Sequence, residues 1–93
     1  MKLLSVERHL EIFPRKGENL VAEIPITLDI EILKAIVKSR KNDNLLYMNY
    51  GLNKHQVSHL LNLANIDMIV EYKTYRYYLS CVGVYDYNKD SNA

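Results

Sequence analysis

The run Leu20-Val21-Ala22-Glu23-Ile24-Pro25-Ile26-Thr27-Leu28-Asp29-Ile30-Glu31-Ile32-Leu33-Lys34-Ala35-Ile36-Val37 contains the change of period that decides the fold class. Its first part alternates: Leu20, Ala22, Ile24 and Ile26 share one side and Val21, Glu23 and Pro25 the other, which is strand logic. Pro25 lacks a backbone donor, which marks an edge strand or a strand end. From Thr27-Leu28-Asp29 the period lengthens. Ile30, Leu33, Ile36 and Val37 fall on one helical stripe, while Glu31, Lys34 and Lys38 fall off it. This predicts a helix from about Asp29 to Arg40, with Thr27 or Asp29 able to accept a free amide proton at its start. Lys34, Lys38, Arg40 and Lys41 load its C-terminal half with charge of the sign the helix dipole favours.

Working back, Leu4 to Phe13 alternates imperfectly, with Val6, Leu10 and Ile12 against Glu7, His9 and Glu11. Pro14-Arg15-Lys16-Gly17-Glu18 is turn composition, so the two runs predict an antiparallel hairpin. Working forward, Leu45 to Leu52 is too short and mixed to assign, and Gly51 suggests a turn. Asn53 with Gln56 has capping-box spacing, and Val57, Leu60, Leu61 and Ala64 form the stripe of a second helix, with Asn65 as its left-handed terminator. Residues Asp67 to Tyr87 are rich in β-branched and aromatic side chains. The strongest strand there is Tyr75 to Tyr85, with Tyr75, Tyr77, Leu79 and Cys81 opposite Tyr78, Val82 and Val84. Met68 to Tyr72 is either its first part or a separate short strand.

The expected fold is therefore α+β: an antiparallel sheet of about three to four strands, in the order β-β-α-α-β, with two helices packed on one face. Ninety-three residues make one domain, 1–93, with Asn88 to Ala93 a fraying tail. One helical layer leaves the second sheet face to solvent or to a partner.

Composition narrows the function. Twelve Lys and Arg against eleven Asp and Glu give a net charge of +1, which disfavours a protein held to nucleic acid mainly through phosphates. The single cysteine, Cys81, rules out an internal disulfide and points to a reducing, cytoplasmic setting. The first residues reach charge before any run of signal-peptide length. No run of about 18 apolar residues suggests a membrane span.

Catalytic and metal chemistry find little support. His55 and His59 have i, i+4 spacing but point away from the apolar stripe, and no third ligand lies nearby. Cys81 in an apolar strand reads as buried filler rather than a nucleophile. The carboxylates Glu7, Glu11 and Glu23 form no acid and base pair, and Gly17, Gly51 and Gly83 are too far apart for a phosphate loop. No enzyme, metal or cofactor is expected.

Eight of the nine aromatic residues are Tyr, a side chain enriched at protein interfaces because it couples a large apolar ring to a polar tip. Tyr77 and Tyr78 face opposite ways, so at least one ring on that strand lies off the helix-packed core. The expected partner surface comprises Tyr75, Arg76, Tyr77, Tyr85, Asp86 and Tyr87, rimmed also by Lys89, with Tyr47 and Tyr50 added. The alternative is a small RNA- or DNA-binding module using Lys34 to Lys41 and surface tyrosines. However, from Asn42 onward the chain holds four basic and five acidic residues, so the aromatic region is not itself basic.

Three segments carry a family resemblance: Asn19-Leu20-Val21-Ala22-Glu23-Ile24; Tyr50-Gly51-Leu52-Asn53-Lys54-His55-Gln56, leading into Leu60; and Tyr75-Arg76-Tyr77-Tyr78-Leu79-Ser80-Cys81. In this pattern the chain resembles small bacterial immunity proteins of contact-dependent growth inhibition and related polymorphic toxin systems. The resemblance implies an antitoxin role. Such a protein neutralises a cognate toxin, commonly a nuclease-type C-terminal domain, by occluding its active site or substrate groove. Nuclease partners are often acidic, and this chain is not. Either Asp29, Glu31, Asp43, Asp86 and Asp90 gather on one face, or the contact is aromatic and polar. A homodimer through an exposed sheet edge is a further expectation.

Overall fold

The computed structural model describes residues 2–86. The elements run β1 (Lys2–Pro14), β2 (Ala22–Ile26), α1 (Ile30–Ile36), β3 (Tyr50–Leu52), α2 (Lys54–Leu63) and β4 (Tyr75–Asp86). The fold is α+β, with one four-stranded antiparallel sheet in the order β2-β1-β4-β3.

The hairpin forms as the alternation requires, with Leu10 opposite Ile24 and Ile12 opposite Ala22. β2 begins at Ala22, two residues later than its alternation suggests, and as an edge strand it tolerates Pro25. The two long strands β1 and β4 pair centrally, from Lys2 opposite Asp86 to Pro14 opposite Tyr75, with a bulge at Leu4. β2 spans only Arg8 to Ile12 of β1, and β3 spans only Tyr77 to Leu79 of β4. A two-stranded ribbon, residues 2–7 against 82–86, therefore extends beyond the four-stranded part. The molecule is elongated accordingly, at 50 × 29 × 27 Å.

Four local expectations need correction. The order is β-β-α-β-α-β, because Tyr50–Leu52 is a strand; Tyr50 and Leu52 are buried while Gly51 faces the other way, a pattern too short to declare a period. α1 stops at Ile36. Val37 is extended, with φ −117° and ψ 121°, and buries its β-branched side chain in the core, while Gln56 Nε2 donates to the Ile36 carbonyl at 3.1 Å. Asp29 occupies the N-cap without a side-chain hydrogen bond, so α1 begins uncapped. Met68 to Tyr72 is not a strand; Met68, Val70 and Tyr72 pack on the core from a segment without regular structure that leads into a turn at Tyr72–Thr74.

α2 follows its sequence closely. Asn53 Oδ1 accepts the Gln56 N–H and Gln56 Oε1 accepts the Asn53 N–H, each at 2.8 Å, completing the capping box. At the other end Asn65 adopts φ 57°, and the N–H groups of Asn65 and Ile66 reach the carbonyls of Asn62 and Leu61, the Schellman arrangement. The core lies between sheet and helices. Leu10, Ile12, Tyr77, Leu79, Tyr50 and Leu52 from the sheet meet Leu33, Ile36, Val57, Leu60 and Leu61. Full burial of each aliphatic side chain is worth about 1.5 to 3 kcal/mol against exposure.

Candidate partner-binding face

Strand alternation and register together place a second set of side chains on the sheet face opposite the helices. Pairing puts Phe13 across from Arg76, Glu11 across from Tyr78 and from Glu23, and Gly51 across from Tyr78. The face has two halves of different chemistry.

Toward β3 lies an aromatic half. The Phe13 and Tyr78 rings meet edge to face, 5.7 Å apart at 82°. The Arg76 guanidinium sits 5.5 Å from the Phe13 ring centre and 5.8 Å from that of Tyr78. Arg76 is held by three acceptors: Nε donates to the Pro14 carbonyl at 3.0 Å, Nη2 to the Gly17 carbonyl at 2.7 Å and Nη1 to the Tyr78 hydroxyl at 3.3 Å. Gly17 has φ 111°, a conformation that excludes most side chains, so glycine permits the loop carbonyl to turn toward Arg76. Gly51 places bare backbone beside the Tyr78 ring, where a Cβ would stand in ordinary contact at 3.5 Å. Between these groups opens a cavity of about 300 Å³, whose rim adds Glu18, Arg40 and Asn49.

Toward β2 lies an acidic half. Glu11 stands opposite Glu23, a like-charge pair that opposes folding unless it is relieved or used. His9 stands beside this pair, with its buried Nδ1 close to a carboxylate but not hydrogen-bonded to it. Its Nδ1 lies 2.9 Å from Glu23 Oε1 and its Nε2 3.7 Å from Glu7 Oε2. The Glu7 and Glu23 side chains remain 61% and 41% exposed, so both carboxylates are available to a partner.

The residues expected to form the partner surface divide. Arg76 is on this face. Tyr77 is 2% exposed and Tyr50 5% exposed, so both belong to the core and are corrected as surface candidates. Tyr77 stacks on Tyr72 and its hydroxyl accepts the Glu71 N–H; the Tyr50 hydroxyl donates to Asp43 Oδ2. Tyr75 is half-buried against the core. Tyr47 is exposed in the loop before β3, and exposed Tyr85 lies on the helix side of the ribbon, where its ring covers Gly83. Asp86 ends β4, and Tyr87 and Lys89 lie outside the described residues. Phe13, Tyr78 and the three glutamates complete the face, and none of them was among the residues expected in the partner surface. The available signal was parity: Tyr77 shares its side of the strand with Leu79 and Cys81, whereas Tyr78 shares its side with Arg76 and Ser80.

Of the acidic residues expected to gather, Asp29 and Glu31 are exposed at the start of α1, and Asp90 lies outside the described residues. Asp43 is buried and organises the loop before β3, while the open face carries exposed Glu7 and Glu23 with half-buried Glu11 between them. The basic group is partly committed as well, since Lys34 Nζ donates to Asn44 Oδ1 at 2.7 Å and the Arg40 guanidinium stacks 4.6 Å from the Tyr50 ring centre. His55 and His59 are exposed. Cys81 is half-buried, and burial pushes its thiol pKa up against the pull of Arg8, which keeps it a poor nucleophile. Among the described residues no group of three His, Cys, Asp or Glu side chains could hold a metal ion, and no helix is long and apolar enough to cross a membrane.

The model of the family described as Domain of unknown function (DUF7683) matches residues 7–80. The chain belongs to that family. The match begins at Glu7 and ends at Ser80, so the DUF7683 region holds both halves of the open face, from Glu7, Glu11 and Phe13 to Arg76 and Tyr78. No curated protein and no solved structure matches the chain.

Proposed function

We propose that this protein is a binding module that engages a protein partner through the open sheet face, and that the partner is a toxin which it neutralises by covering an active site or substrate groove. One observation carries the reading: an aromatic and arginine patch and a strip of carboxylates, with Glu7 and Glu23 exposed, lie side by side on a face that no helix among the described residues covers. Aromatic side chains with Arg are the groups that dominate binding energy at interfaces, and a charged strip beside them sets orientation and association rate. The acidic strip complements a basic nucleic-acid groove, which favours a nuclease domain as the target and answers the objection that the chain as a whole is not acidic. No catalysis enters this role, and the resemblance to immunity proteins points the same way. Cytoplasmic action follows from the same reading.

The test is co-expression with the product of the neighbouring reading frame, scoring co-purification and rescue of growth. A complex that Tyr78→Ala and Glu11→Lys each weaken at least about tenfold, with both variants folded, supports the reading. A stably folded chain that captures no such product removes it.

A further inference from the structure

We propose that the cavity at the β3 end of the open face is a binding site for an aryl group bearing a single carboxylate. The proposal builds on the open face as a binding surface and specifies the chemistry of its anchor point. At about 300 Å³ the cavity is at the lower end of ligand-pocket sizes and suits one ring with a short acidic arm. Its walls are the Phe13 and Tyr78 rings, already set edge to face, and its floor is the bare backbone at Gly51. A flat apolar group enters there without displacing a side chain.

Charge selects the second part of the ligand. Arg76 and Arg40 both line the cavity, but they differ in what they have left to give. Arg76 already donates to two carbonyls and the Tyr78 hydroxyl, and acts as a fixed wall. Arg40 stacks on Tyr50, and among the described residues its guanidinium makes no hydrogen bond and no ion pair. It presents an unused planar donor fork at the rim, the geometry that matches a carboxylate. Glu18 on the same rim leaves a net lining charge of +1, which suits one negative charge better than a doubly charged phosphate. The same chemistry belongs to a free aromatic acid and to an aromatic residue at a polypeptide C-terminus.

The experiment is a ¹⁵N heteronuclear titration of the full chain with 3-phenylpropionate, 3-phenylpropanamide, phenethylamine and N-acetyl-Ala-Ala-Phe with a free C-terminus. The Gly51 and Tyr78 amide signals are expected to shift with 3-phenylpropionate, and the neutral amide is expected to bind about fivefold or more weakly, with the amine weakest. Arg40→Gln is expected to remove the preference, Arg40→Lys to retain part of it, and Glu18→Gln to tighten carboxylate binding. Unchanged Leu10 and Leu79 signals certify that each variant is folded. Tighter binding of the peptide than of 3-phenylpropionate assigns the site to a polypeptide terminus, and the reverse to a free acid. Absence of shifts at Gly51 and Tyr78 at about 10 mM probe overturns the proposal, as does equal binding of amine and carboxylate, or a preference that survives Arg40→Gln. Toxin capture is scored in a separate experiment, so either reading can fail alone.

Discussion

Asp43 shows how one side chain can hold a loop that has no regular structure. Its carboxylate accepts the N–H groups of Tyr47 at 2.8 Å and Met48 at 3.1 Å together with the Tyr50 hydroxyl, while the Arg40 N–H donates to that hydroxyl at 3.0 Å. The Tyr50 hydrogen bond holds the Asp43 pKa below its ordinary 3.8, overcoming burial, which alone would raise it. A carboxylate depressed in the folded state binds fewer protons there than in the unfolded chain. Its contribution is therefore fully present above about pH 4 and is lost as pH falls through the folded value. Urea midpoints measured between about pH 6 and pH 2 are expected to fall at the acid end, and Asp43→Asn is expected to be less stable at neutral pH with a flatter acid limb. Leu46 lies in the same loop at φ 55°, a conformation costing an ordinary residue about 1 to 2 kcal/mol, yet its side chain is 1% exposed. Burial outweighs the strain. Leu46→Ala retains the strained backbone and loses the packing, so denaturant unfolding is expected to show a loss of about 2 to 4 kcal/mol.

Among the elements, α2 is stabilised by contacts that differ in reach. Asn53→Ala removes one half of a local cap and is expected to cost about 1 kcal/mol by chemical denaturation. Gln56→Ala removes the reciprocal bond and also the Nε2 donor to Ile36, which lies 20 residues away and ends α1. It is expected to cost at least as much as Asn53→Ala, and to loosen α1 in hydrogen exchange where Asn53→Ala does not. The same contrast explains what was legible in the sequence. α2 could be read to the residue because its cap, stripe and terminator all lie within one continuous segment. The end of α1 could not, since it is set by Gln56 and by the buried Val37, and β3 could not, since three residues carry no period. On the open face, parity separates Tyr78 from Tyr77 and groups Glu7, Glu11 and Phe13. That these groups meet Arg76 and Tyr78 depends on β1 lying beside β4, a pairing across more than 60 residues that no local pattern encodes.

At the scale of the molecule, the sheet is unevenly supported along its length. In the four-stranded part, Leu10 and Leu79 pair in the centre under both helices, with β2 and β3 outside them. In the ribbon, residues 2–7 and 82–86 pair, among the described residues, only with each other, the register slips at Leu4, and Leu3, Leu4 and Val82 are 47%, 59% and 46% exposed. Two strands without a packed face are marginal in water, so the ribbon opens at little cost while the centre opens only with global unfolding. Amide exchange is expected to report this as a gradient along two continuous strands. Protection at Leu10, Ile12, Tyr77 and Leu79 should follow the global stability, and protection at Leu3, Val6, Val82 and Val84 should be lower by about two orders of magnitude or more. Gly83 offers a second reading of the same ribbon. A Cβ there would come 2.9 Å from the Tyr85 ring, which must shift, but strain confined to a ribbon that opens at little cost cannot exceed that cost, so Gly83→Ala is expected to change global stability by less than about 1 kcal/mol. A large loss in that variant, or uniform protection from Leu3 to Ile12, would mean that the ribbon belongs to the cooperative core and that its exposed leucines are ordered by more than β4.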